Sequence, residues 1–135
     1  MTLTACLAVT YAVERYEIAR RAHLVVVASL DNVNSWPWID GWHFSADLKV
    51  AETVWGQTPK GKTLPYRFIC SCCPKWRRPD LLQFKGVVGL WFLDVAKEGV
   101  RSSGGCADPG YRPLALLEEM RTFLHTRSQP GLSPK

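Results

Sequence analysis

This sequence has little of what enzymes are usually built from. Histidine occurs three times, at His23, His43 and His125, scattered and without a His-Glu-x-x-His helix or a nucleophile elbow. Acidic residues are the minority, 12 Asp and Glu against 17 Lys and Arg. No run approaches the ~20 apolar residues needed to cross a bilayer as a helix. No internal repeat is present. These absences leave no catalytic constellation, no implied cofactor and no candidate transmembrane segment.

What is present suits one globular domain. The chain has 135 residues, 47% of them hydrophobic and 21% charged, enough to bury a core and too few for two domains. A net charge of +5 accommodates an acidic partner, of which nucleic acid is one kind. Five cysteines are an odd number, so disulfides would leave one over, while a reducing compartment would favour burial or metal. Residues 3–13 are apolar, but no basic segment precedes them and Glu14-Arg15 cuts them short, which falls short of a complete signal peptide. Leu3-Thr4-Ala5-Cys6 looks like a lipoprotein cleavage box without its leader. Residues 1–13 are therefore either a leader remnant or, as the favoured reading, part of an N-terminal helix.

The most strongly specified stretch is Gly86-Val-Val-Gly-Leu-Trp-Phe-Leu-Asp-Val95, a nearly uncharged run that predicts a strand buried on both faces. Upstream, residues 7–21 have loosely helical spacing and end in Arg20-Arg21, as suits a helix C-terminus. His23–Leu30 predicts a strand stopped by the turn composition of residues 31–35, and Trp36–Trp42 a tryptophan-dense loop. Residues 42–51 alternate, with Trp42, Phe44, Ala46, Leu48 and Val50 on one face. After a polar loop the alternation resumes with Leu64, Tyr66, Phe68, Cys70 and Cys72. Lys75–Lys85 is a basic loop. Pro113 opens a predicted helix carrying Leu114, Leu117, Met120, Phe123 and Leu124 on one side, and residues 126–135 read as a flexible tail. This pattern predicts a mainly β fold, a small antiparallel barrel in one domain over residues 1–125, with an N-terminal helical segment and a C-terminal helix.

Three features in fixed order resemble the netrin-like domain of the tissue inhibitors of metalloproteinases, in its small bacterial form. They are Glu17–Ala28; Val54-Trp-Gly56 with Gly61-Lys-Thr63; and Gly89–Leu93 followed by Cys106 and Tyr111-Arg-Pro-Leu114. The resemblance implies an OB-like, five-stranded barrel that binds another protein and does no catalysis, exported, with disulfides from the Cys70, Cys72, Cys73 cluster to Cys6 and Cys106. In those inhibitors a mature N-terminal cysteine chelates the protease zinc. Cys6 is not the first residue here and no Cys-x-Cys pair stands there, so inhibition does not carry over.

Gly56-Gln-Thr-Pro-Lys-Gly-Lys-Thr63 fits the phosphate-loop pattern, but the loop works only where its Lys-Thr opens a helix. Pro65 disfavours helix at Leu64, so a hairpin turn is expected. The cysteine cluster, with Cys106 or His43, offers zinc ligands, yet on an extended strand Cys70 and Cys72 share a face that Cys73 does not. A zinc-stabilised domain is the least favoured reading, and no metal site is assigned. Glu118-Glu119 reads as a solvated helix face. Trp42, Trp55 and Trp91 fall in or beside strands and are expected in the core, whereas Trp36, Trp38 and Trp76 fall in loops. The expectation is that Trp36, Trp38 and Trp76, with Arg77 and Arg78, engage another protein. Single-stranded nucleic acid, stacked on the same aromatics, is the alternative.

Overall fold

The computed structural model describes residues 14–58, 62–72, 76, 78–105 and 108–131. Its elements are α1 (Arg15–Arg21), β1 (Leu24–Trp38), β2 (Gly41–Trp55), β3 (Thr63–Cys70), β4 (Gly89–Ala96), β5 (Gly99–Ser102), β6 (Tyr111–Pro113) and α2 (Leu117–Gly131). Short 3-10 turns lie at Leu82–Phe84 and Leu114–Leu116. The protein is mainly β. Its six strands form one sheet in the order β1-β2-β3-β5-β4-β6, and β1 also pairs with β4, so that five strands make a ring. The stitching of that ring is uneven. β1 and β4 are in register from Leu24↔Leu93 to Ala28↔Gly89, whereas β3 and β5 meet only at Tyr66↔Val100 and Arg67↔Arg101. This last pairing is parallel, so the antiparallel sheet expected from sequence has one parallel seam.

The ring separates two apolar layers, and β1 and β4 serve both. Leu24, Val26, Ala28 and Leu30 of β1 point inward with Trp91 and Leu93 of β4. Val25, Val27, Leu90 and Phe92 point outward, where Ile18, Ala19 and Ala22 of the α1 segment and Met120 and Leu124 of α2 cover them. Alternation normally leaves one face of a strand polar. Here both faces are covered, which is why Leu90, Trp91, Phe92 and Leu93 can all be fully buried in succession. Within the ring Tyr66, Trp91, Phe84 and Tyr111 pack edge to face or tilted, and the Trp91 indole donates to the Ala28 carbonyl at 3.2 Å.

Several boundaries differ from the sequence expectation. Residues 31–35 do not end β1. Asn32 takes a left-handed φ of 52°, the β1–β2 register shifts between Asp31 and Asn34, and the strand continues to Trp38. Asn tolerates that conformation, and its amide donates to Asp47 Oδ2 at 2.7 Å across the pair. The expected tryptophan loop is thus the outer arm of a long hairpin. β3 stops at Cys70 rather than carrying Cys72. Val87 and Val88 precede β4 and are exposed. Pro113 closes β6 instead of opening the helix, so Leu114 is exposed and Met120 and Leu124 form the buried stripe. α2 runs through Gly131, into the stretch read as a tail. Residues 1–13, and so most of the expected N-terminal helix with Cys6, lie outside the described residues.

One buried ion pair fixes the connection between β5 and β6. Arg112 and Asp108 are 2% and 0% exposed and face each other through two bonds, Nη1 to Oδ1 at 3.0 Å and Nη2 to Oδ2 at 2.8 Å. Asp108 also accepts from the Gly110 amide, and Gly104 lies so close that a Cβ there would sit 2.5 Å from the Asp108 carboxyl carbon. Tyr66 reaches in from β3 to donate to the Pro109 carbonyl at 2.7 Å. Replacing Arg112 with Leu should destabilise the fold by about 3–5 kcal/mol, because it leaves a buried carboxylate without its counter-charge. Chemical denaturation checks this, and pairing Arg112→Leu with Asp108→Leu should recover part of the loss.

A second tie joins the helices. Glu119, expected on a solvated face, instead accepts from Tyr16 Oη and from Arg15 Nε, the latter at 2.7 Å. The Tyr16 hydroxyl, then Arg15, hold its carboxyl below the ordinary value of 4.5. A carboxylate lowered in the folded state adds stability that is present above its unfolded value and lost as pH falls through the folded one. Glu119→Gln should therefore lower the melting temperature at pH 7. The two melting curves should converge as pH is taken below about 4.5. Thermal melts between pH 3 and 7 test this.

Candidate functional site

The β1–β2 hairpin outruns the ring. β3 covers β2 from Trp42↔Cys70 to Lys49↔Thr63, but on the far side of β1 the β4 pairing ends at Ala28, followed by a single bridge from Leu30 to Lys85. Beyond it, no strand among the described residues lies beside the outer arm of β1. Pro37 has no N–H to offer and suits such an edge. The hairpin turns at Ile39-Asp40 into Gly41, whose φ of +130° and closeness to β3 both require glycine; a Cβ there would sit 2.2 Å from the Cys70 carbonyl oxygen. The turn is thereby held against the end of β3.

Three large apolar side chains stand exposed at this end: Trp36 at 38%, Trp38 at 58% and Ile39 at 86%. Trp36 stacks on the His43 ring with centroids 5.7 Å apart, and His43 Nε2 lies 2.6 Å from Asp40 Oδ1. That contact with His43 holds the Asp40 carboxyl below its ordinary value. Arg78 donates to Ser35 Oγ at 3.1 Å and sits over the Trp42 ring at 6.0 Å. The segment it belongs to therefore runs along the hairpin, and a shallow cleft between them is lined by Val33, Ser35, Phe44 and Pro79–Leu82. Trp76, two residues before Arg78, is 68% exposed.

The structure thus brings Trp36, Trp38 and Arg78 to one end of the molecule and leaves Trp76 exposed beside Arg78 in sequence; Arg77 lies outside the described residues. Ile39 and His43 belong to the same exposed patch, a membership not expected from sequence. The signal for Ile39 was the Ile-Asp-Gly turn between two tryptophan-bearing arms. Among the tryptophans expected in the core, Trp91 is fully buried. Trp42 is partly buried against the inner layer, and Trp55 against the outer one, with Arg127 4.8 Å above its ring.

The other candidate chemistries fare differently. Thr63 opens β3, and the Lys62 carbonyl accepts from Val50 N, so the Lys-Thr of the phosphate-loop pattern begins a strand rather than a helix. Cys70 is buried at the end of β3 and Cys72 is exposed in the turn beyond it. Their sulfurs are 3.8 Å apart, well over the ~2.05 Å of a bond, so these two are not joined to each other. Cys6, Cys73 and Cys106 lie outside the described residues. Among the described residues no group of three His, Cys, Asp or Glu side chains is placed to hold a metal ion. No helix of the described residues is long and apolar enough to cross a membrane.

The chain matches no family model and no curated protein.

Exposure separates the tryptophans into core and surface residues. Trp36→Ala and Trp38→Ala should each change stability by no more than about 0.5 kcal/mol, as surface substitutions do. Trp91→Ala should cost about 3–5 kcal/mol, since it empties the centre of the ring. Urea denaturation of the three variants measures both, and a large loss at Trp36 or Trp38 would make them core residues.

Proposed function

We propose that this protein is a non-catalytic binding module of the OB-like, netrin-like type that engages another protein through the end of its β1–β2 hairpin. The observation that carries the reading is the cluster of solvent-facing Trp36, Trp38 and Ile39 on a paired two-stranded arm, with Arg78 bonded to Ser35 on the arm's other face. Exposed aromatics with a neighbouring arginine are the composition of interface hot spots, because they bury large areas with little loss of side-chain freedom. Two features support the OB-like assignment: the ring order β1-β2-β3-β5-β4 and the parallel β3–β5 seam of a partly open five-stranded barrel. In such barrels the β1–β2 and β4–β5 loops flank the ligand. Export, and disulfides among Cys6, Cys72, Cys73 and Cys106, belong to the same proposal through the netrin-like resemblance; Cys70, expected among them, takes no part in a disulfide.

Single-stranded nucleic acid is the second reading, favoured by the Trp36–His43 stack, which offers a flat aromatic face at the hairpin end. One pair of measurements separates the two. The triple variant Trp36→Ala, Trp38→Ala, Trp76→Ala should lose capture of a protein partner while keeping the wild-type melting temperature. Fluorescence titration with a thymidine oligonucleotide at low salt should give no binding. Oligonucleotide affinity that falls steeply with salt would replace the protein-binding reading with the nucleic-acid one.

A further inference from the structure

The weakest seam of the ring opens a second concavity, across β3 from the β1–β2 hairpin, where Ile69 of β3 pairs with His43 of β2. β3 and β5 are joined only at Tyr66↔Val100 and Arg67↔Arg101. β3 then continues through Phe68, Ile69 and Cys70 while β5 ends at Ser102, so on this side the β3 edge is left without a strand among the described residues. The result is a groove of about 420 Å³ bounded by Arg67–Ile69, the β4–β5 turn and Ser102. That volume falls within the roughly 300–1,000 Å³ of small-molecule sites.

Its charge is lopsided. Arg67, Lys97 and Arg101 line it against a single acid, Glu98. Arg67 and Arg101 are cross-strand neighbours, both exposed, on strands that sit only ~4.8 Å apart, an arrangement in which like charges repel. Neither they nor Lys97 form an ion pair with any described residue. Asp94, opposite Arg101 on β4, accepts instead from Ser103 Oγ at 2.8 Å. Beside the arginines, Ile69 is 47% exposed and offers an apolar wall.

We propose that this groove binds a small amphipathic oxyanion, with a carboxylate or phosphate head between Arg67 and Arg101 and a short apolar body along Ile69. Two guanidinium forks on adjacent strands suit the planar, two-oxygen face of such a head, and its charge would relieve the repulsion between them. The proposal does not depend on the hairpin reading, because the two surfaces share no residue.

The test is a titration of the ¹⁵N-labelled full chain with sodium octanoate at low ionic strength, with 1-octanol as the uncharged match. Saturable shifts confined to residues 67–69 and 96–102, with no saturation by octanol, are expected. Arg67→Gln with Arg101→Gln should weaken octanoate binding by about tenfold or more, the loss of a charge-assisted hydrogen bond. Ile69→Asp should do the same while leaving the melting temperature unchanged, since all three side chains are exposed. Absence of saturable shifts, shifts that centre on Trp36 and Trp38, or equal binding of octanol would each overturn the proposal.

Discussion

The buried pair of Arg112 and Asp108 is the constraint on which the closed side of the molecule depends. A guanidinium and a carboxylate removed from water cost several kcal/mol each unless every bond is made, and here the two meet through two hydrogen bonds. That geometry pins the segment between β5 and β6 against β4. There the Gly110 carbonyl accepts from Phe92 N and the Phe92 carbonyl accepts from Ser103 N. Tyr66 ties the same segment to β3. One side-chain pair thus anchors a short irregular stretch to two of the ring's strands, and it occupies a place where apolar packing alone would leave backbone groups unsatisfied.

Core burial and exposed aromatic surface are spatially divided. The half of the β1–β2 hairpin nearest the helices lies between two apolar layers, with the inner ring on one side and the α1 and α2 contacts on the other. Among the described residues no helix covers its outer half, and the segment around Arg78 runs along it. The aromatic side chains at the end therefore add little to folding, while the arm that carries them is held by paired backbone and by Gly41 packed on β3. A rigid arm presenting exposed tryptophan loses little entropy on binding, which is the physical basis of the protein-binding proposal.

Much of the architecture was legible in residue order. The period-two runs of β2 and β3, the continuous apolar run of β4 and the buried stripe of α2 each carry a pattern that only one kind of burial satisfies. The extent of β1 was not. Asp31–Ser35 has turn composition, and nothing local reveals that Asn32 absorbs the irregularity in one left-handed residue so that pairing with β2 resumes. Glu119 misled in the same way: its role is set by Tyr16 and Arg15, far away in sequence.

The sequence by itself determined that this is a β-rich domain organised on Leu90–Leu93, with Trp91 in its core and Trp36, Trp38 and Trp76 outside it, because burial preference and periodicity are local properties of the chain. Only the tertiary structure decided that Trp36 and Trp38 ride on a hairpin arm beside Arg78. It alone decided that β3 and β5 meet in parallel over a short seam with Arg67 against Arg101, and that Arg112 is buried with Asp108. Each of these depends on which distant segments meet, and strand pairing and charge burial are settled by the whole fold rather than by neighbouring residues.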